Sequence, residues 1–167
     1  YTYINIGEYS TVGTQLELIY RRRNIKFSIN PSLVGRENYL TSETIATYNY
    51  SPEISSQFSY QFNQKNWGMN LFYKFNGPQN QYFVNDNDEI TISTTDGYSI
   101  LDLSINRKIM HKNMNIILGV KNIFNVTNVN VSGTAPSGVH SSSGASPIGR
   151  GTSLFMSINY KFKHSKK

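Results

Sequence analysis

Seven stretches of this chain, each about ten residues long, alternate apolar and polar side chains with a period of two, which turns successive residues to opposite faces of a β-strand. The clearest is the last, Thr152 to Phe162: Leu154, Met156, Ile158, Tyr160 and Phe162 share one face, while Phe155, Ser157, Asn159 and Lys161 share the other. Met114, Ile116, Leu118 and Val120 oppose Asn115, Ile117, Gly119 and Lys121. Trp67, Met69, Leu71, Tyr73 and Phe75 oppose Gly68, Asn70, Phe72 and Lys74. Four further strands are expected from the apolar sets Leu16, Leu18 and Tyr20; Ile25, Phe27 and Ile29; Phe58, Tyr60 and Phe62; and Leu101, Leu103 and Ile105. No stretch keeps a helical stripe as well.

The spacing between strands separates two all-β architectures that share this alternation. Links over Arg21 to Asn24, Asn63 to Asn66 and Arg107 to Asn113 are short, whereas residues 38–53, 76–97 and 122–151 form long ones, and short and long alternate strictly. A soluble sandwich has no need of that rule. An antiparallel transmembrane β-barrel follows it, with short turns towards the periplasm and long loops outside. Charge divides the same way. Eleven of the 16 basic residues (Arg21, Arg22, Arg23, Lys65, Arg107, Lys108, Lys112, Lys161, Lys163, Lys166 and Lys167) fall at the short-turn end. Glu37, Glu43, Glu53, Asp86, Asp88, Glu89 and Asp96 lie on or beside the long links. Tyr20, Phe62, Trp67, Tyr160 and Phe162 are then expected to form one aromatic girdle at the membrane–water interface, with Phe75 and Tyr98 in the other.

Composition fits strands with one greasy face: 12 Tyr and 9 Phe sit among many Asn and Ser, with 38% hydrophobic residues overall. The longest purely apolar runs are three residues, as in Ile116, Ile117 and Leu118, far below the roughly 18 or more that a spanning helix needs. Cysteine is absent, which excludes disulfides, thiolate metal sites and cysteine nucleophiles. The three histidines, His111, His140 and His164, are scattered without a Ser-His-Asp signature, and Glu17 and Asp102 lie on well-separated strands. No enzyme and no cofactor are expected, and the two carboxylates are expected to pair with Lys26, Lys74 or Lys121 across the lumen. Asp86, Asp88 and Glu89 are weak metal candidates that lack the Gly and spacing of a calcium loop. His140 and Arg150, in the Gly- and Ser-rich longest link, are candidate ligand contacts. The net charge of +6 and the Arg21–Arg23 run suit a headgroup-facing turn better than nucleic acid.

Four segments add a family likeness over nearly the whole chain. Gly13 to Leu18, Tyr98 to Ser104 with its Leu101-Asp102-Leu103 core, Gly119 to Asn125 ending in Asn122-Ile123-Phe124-Asn125, and Gly149 to Phe162 resemble the closing strands of TonB-dependent outer-membrane receptors, in order and spacing. The Asn, Ile and Tyr richness resembles members from Bacteroidetes. The tail after Phe162 departs from the family's terminal aromatic. The resemblance implies that residues 1–167 are the C-terminal part of a barrel of about twenty-two strands in the outer membrane of a Gram-negative bacterium. Since residues 1–20 carry no export signal and already alternate like a strand interior, the remaining strands, the plug and the TonB-contacting segment are expected outside this chain. Implied partners are membrane lipid, the rest of the barrel and plug, TonB, the outer-membrane assembly machinery and a small-molecule ligand. The implied function is uptake of a scarce nutrient such as a siderophore, haem or cobalamin, although glycan and peptide receptors share these strands. The alternative is a small structural or adhesin-like barrel of eight strands without active transport.

Overall fold

A computed structural model describes residues 10–38, 47–62, 66–84, 90–109, 113–133 and 144–162. Among these residues there are twelve strands and no helix. They are β1 (Thr11–Gln15), β2 (Leu18–Arg22), β3 (Ile25–Glu37), β4 (Tyr48–Phe62), β5 (Trp67–Asn76), β6 (Gln79–Val84), β7 (Ile90–Thr95), β8 (Tyr98–Ile109), β9 (Met114–Lys121), β10 (Asn128–Ser132), β11 (Gly144–Pro147) and β12 (Ser153–Tyr160).

The large sheet runs β1-β3-β4-β5-β8-β9-β12, with β2 also paired to β3 and every pairing antiparallel. β1 and β2 keep one register against β3, from Thr11 opposite Arg36 to Arg22 opposite Ile25, so together they act as a single strand. The large sheet is therefore a meander of seven strands, one for each alternating stretch of the sequence. Among the described residues it is open, ending on β1/β2 at one side and β12 at the other.

Registers decide the faces, because a slip of one residue would move an apolar set to the other side. None slips. Tyr20 pairs Phe27, Phe27 pairs Phe58, Phe58 pairs Leu71, Leu71 pairs Leu103, Leu103 pairs Val120 and Val120 pairs Leu154. All seven expected apolar sets thus merge into one continuous face. The opposite face carries Lys26, Ser28, Asn30, Gln57, Asn70, Asp102, Asn106, Lys121 and Asn159.

Burial is inverted relative to a water-soluble domain. Among the described residues Val129 is the buried hydrophobic, whereas Ser28, Asn38, Ser51, Asn76 and Asn122 are buried polar residues, and Leu154 (83%) and Met156 (63%) stand exposed. An uncovered apolar band of this extent needs a non-aqueous neighbour.

Three long links prove partly structured. Residues 38–53 contain the start of β4. Residues 76–97 and 122–151 hold β6, β7, β10 and β11, which form a second antiparallel sheet in the order β11-β10-β7-β6. That sheet meets the large one through β6 and β4, at the long-link end. β3, with 13 residues, and β4, with 15, exceed the roughly 9–11 that a tilted strand needs to cross a bilayer, so their hairpin projects beyond it.

Candidate functional site: membrane wall and loop-end surface

At the short-turn end of the apolar face, aromatic side chains meet in pairs. Tyr60 and Phe62 stack edge to face at 4.7 Å, and Tyr160 and Phe162 do so at 4.8 Å. Arg107 lies over the Trp67 ring at 4.9 Å, which pins a cation to the flat face of an indole where ring and charge both favour an interface. Tyr20, Phe62, Trp67 and Tyr160 all share the apolar face and lie near the short turns, and Phe162 follows two residues beyond Tyr160. At the other end, Phe75 pairs Ser99 on this face, but Tyr98 pairs Asn76 and belongs to the polar face, since adjacent residues of a strand point oppositely. Tyr48 and Tyr50, with rings 6.4 Å apart, stand on the apolar face of the projecting hairpin. Sequence reasoning missed them by treating residues 38–53 as a link, although Tyr48, Tyr50 and Pro52 continue the β4 alternation.

The tight turns use left-handed backbone. Arg23 (φ 47°) sits in the two-residue turn between β2 and β3, and Asn66 (φ 51°) precedes β5. The most connected turn follows β9, where Asn122 (φ 53°) and Asn125 (φ 54°) bracket Ile123 and Phe124. Asn122 is buried and fully engaged. Its amide donates to Asp102 Oδ1 at 2.8 Å, its Nδ2 donates to the carbonyls of Val126 (2.9 Å) and Arg150 (3.1 Å), and its Oδ1 accepts from Val126 N at 3.0 Å. Thr152 completes the clasp: Oγ1 donates to the Asn122 carbonyl at 2.8 Å and N donates to Asn125 Oδ1 at 3.0 Å. Short polar side chains suit both the left-handed conformation and this self-bonding. Gly151 is required beside them, because a Cβ there would lie 2.5 Å from Asn125 Oδ1.

This clasp corrects one expectation. Asp102 is on the polar face, as is Glu17, but Asp102 accepts a backbone amide; among the described residues the ion pair is Arg36–Glu53, at 3.1 Å. Arg150 is held at the start of β12 by its carbonyl, with its side chain exposed beside the Asn122 turn. His140 and the Asp86, Asp88 and Glu89 group lie outside the described residues. Among the described residues no group of three or more His, Asp or Glu could hold a metal.

A cleft of about 330 Å3 opens where β6 meets the projecting β3–β4 hairpin, lined by Arg36, Asn38, Asn49, Ser51, Gln79, Gln81 and Tyr82 among others. Its walls come from segments that read as loops in the sequence, so no pattern announced it.

One lipid-compatible face, one polar face, aromatic pairs at the turn end and structured loops at the other define the wall of an outer-membrane β-barrel. The chain belongs to the outer membrane protein beta-barrel family, whose model matches residues 1–160, and it is accordingly an outer-membrane protein of Gram-negative bacteria. No curated protein and no solved structure matches it.

Proposed function

We propose that this chain supplies wall and outer loops to a TonB-dependent receptor that takes up a scarce nutrient, a siderophore, haem, cobalamin or a compound of similar demand, across the outer membrane. The observation that carries this reading is the Asn122 clasp. The most specific segment of the family likeness, Gly119 to Asn125, is the one whose residues tie β8, β9 and the start of β12 together through Asp102, Arg150 and Thr152. The seven strands then form the C-terminal part of a barrel of about twenty-two strands, completed by further strands and a plug. The polar face, with its Asn, Ser, Gln and Lys side chains, suits passage along a lined lumen, so recognition and transport are the proposed chemistry.

Deleting the gene in its source organism tests the proposal. Growth on limiting siderophore-bound iron, haem, cobalamin or a neutral glycan should fall for at least one source, and a protonophore should remove the wild-type advantage. Unchanged growth on every source, with loss only of surface attachment or envelope integrity, would favour a structural or adhesin-like barrel.

A further inference from the structure

The cleft between β6 and the β3–β4 hairpin has a chemistry that narrows its occupant. Its volume of about 330 Å3 falls within the usual range for small-ligand sites, about 300–1,000 Å3. Among the described residues no aliphatic side chain lines it. Asn49, Gln79 and Gln81 supply carboxamides, each with donors and an acceptor, which match the dual hydrogen bonding of hydroxyl groups. Arg36, the cation at the site, is already bound by Glu53 at 3.1 Å, so its charge is answered within the protein. Glu37 contributes a second carboxylate, which accepts from the Ser10 amide at 3.0 Å. With one arginine against two carboxylates, Glu37 and Glu53, the described residues of the site give an anionic chelate or a haem propionate no unanswered cation.

A second observation points into the same place. Ser51 forms part of the cleft wall and is only 2% exposed, yet its hydroxyl has no hydrogen-bond partner. Buried polar groups in native proteins are nearly always paired, so an orphan in the wall of this cleft is a place where a bound group could supply the partner. Tyr82 and the carbon stems of the glutamines offer apolar surface between the polar tips, which suits a molecule whose C–H and O–H groups alternate.

We infer that this cleft binds a neutral oligosaccharide at the outer surface. The inference rests on the uptake reading only for its purpose, since it makes a glycan the cargo; the binding itself stands on the cleft.

The experiment applies the full-length, detergent-solubilised protein, fluorescently labelled, to an array of neutral and anionic oligosaccharides, followed by titration of the best neutral glycan against ferric citrate and haemin. At least one neutral glycan should be retained, and Asn49→Leu with Gln81→Leu should weaken it about tenfold or more, each lost hydrogen bond costing a sizeable part of that factor. Ser51→Ala removes only an unpartnered hydroxyl, so it should leave the unfolding midpoint unchanged or raised while weakening the glycan about threefold or more. The inference is overturned by retention of no neutral glycan, by binding indifferent to these substitutions, or by a preference for ferric citrate, haemin or acidic glycans. Glycan binding in a protein whose deletion costs no energised uptake upholds the inference and removes the transport reading. Uptake of iron or haem with no glycan bound does the reverse.

Discussion

Asn122 shows how much one side chain can hold. It occupies a left-handed backbone position, is buried, and joins Asp102, Val126, Arg150 and Thr152 through five hydrogen bonds made by its main and side chain. Asn122→Ala removes the side-chain bonds, strands the Val126 amide and keeps the strained φ, so a loss of about 2–4 kcal/mol is expected, read from urea unfolding in micelles through the single tryptophan, Trp67. Gly119 is constrained differently. A Cβ there would run into the Phe155 ring and approach the Leu103 carbonyl at 2.8 Å, so Gly119→Ala is expected to cost about 1–3 kcal/mol in the same assay. Arg23 gives the opposite sign: at φ 47° a glycine relieves the turn, and Arg23→Gly should be neutral or stabilising by up to about 1 kcal/mol. At this scale the sequence is only partly legible. The Asn-Ile-Phe-Asn segment stands out as a motif, but its partners lie about 20–30 positions away in the chain, and alternation carries no information about which amide a lumenal aspartate will find.

Strands were the most legible elements, and for a physical reason. Lipid on one side and polar lumen on the other impose alternation along most of β3, β5, β9 and β12, with Phe72, Ile117 and Phe155 among the apolar exceptions on the lumen face, so the pattern marks both the element and its orientation. Two adjacent substitutions test that partition. Leu118→Lys puts a charge on the apolar face and should cost about 2–4 kcal/mol of folding into lipid vesicles, while Ile117→Lys, one position earlier on the polar face, should cost well under half of that. Equal costs would sink the assignment of faces. β6, β7, β10 and β11 resemble loops in the sequence because nothing sorts their faces so severely. Gln79 to Val84 begins with three amides, and Ile90 and Ile92 give too short a repeat to stand apart from a link. Tyr98 marks the limit of the girdle reading: it lies one residue from the apolar position Ser99, so an aromatic at the correct height still falls on the lumen side. The loop-end cleft was illegible for the same reason as its walls, since it exists only once β6 is laid against β4.

For the whole molecule, short turns on one edge and structured links on the other predict opposite accessibilities. A cysteine placed at Asn49 or Gln79 should react with a membrane-impermeant maleimide on intact cells, whereas one at Asn24 should react only after the outer membrane is permeabilised; the reverse pattern would invert the orientation. The meander also has a handed arithmetic. β1/β2 and β12 are the first and seventh strands of an antiparallel series, and both run from the long-link end towards the short turns. Laid edge to edge they are parallel, so the described strands cannot close on themselves and keep an antiparallel barrel. Nor can copies that share one bilayer orientation join into a ring, because each junction would again set β12 beside β1/β2 in the same sense. Any closed antiparallel wall built on this sheet therefore contains an odd number of additional strands between those two edges, and a pore made only of repeats of these seven is ruled out by direction alone.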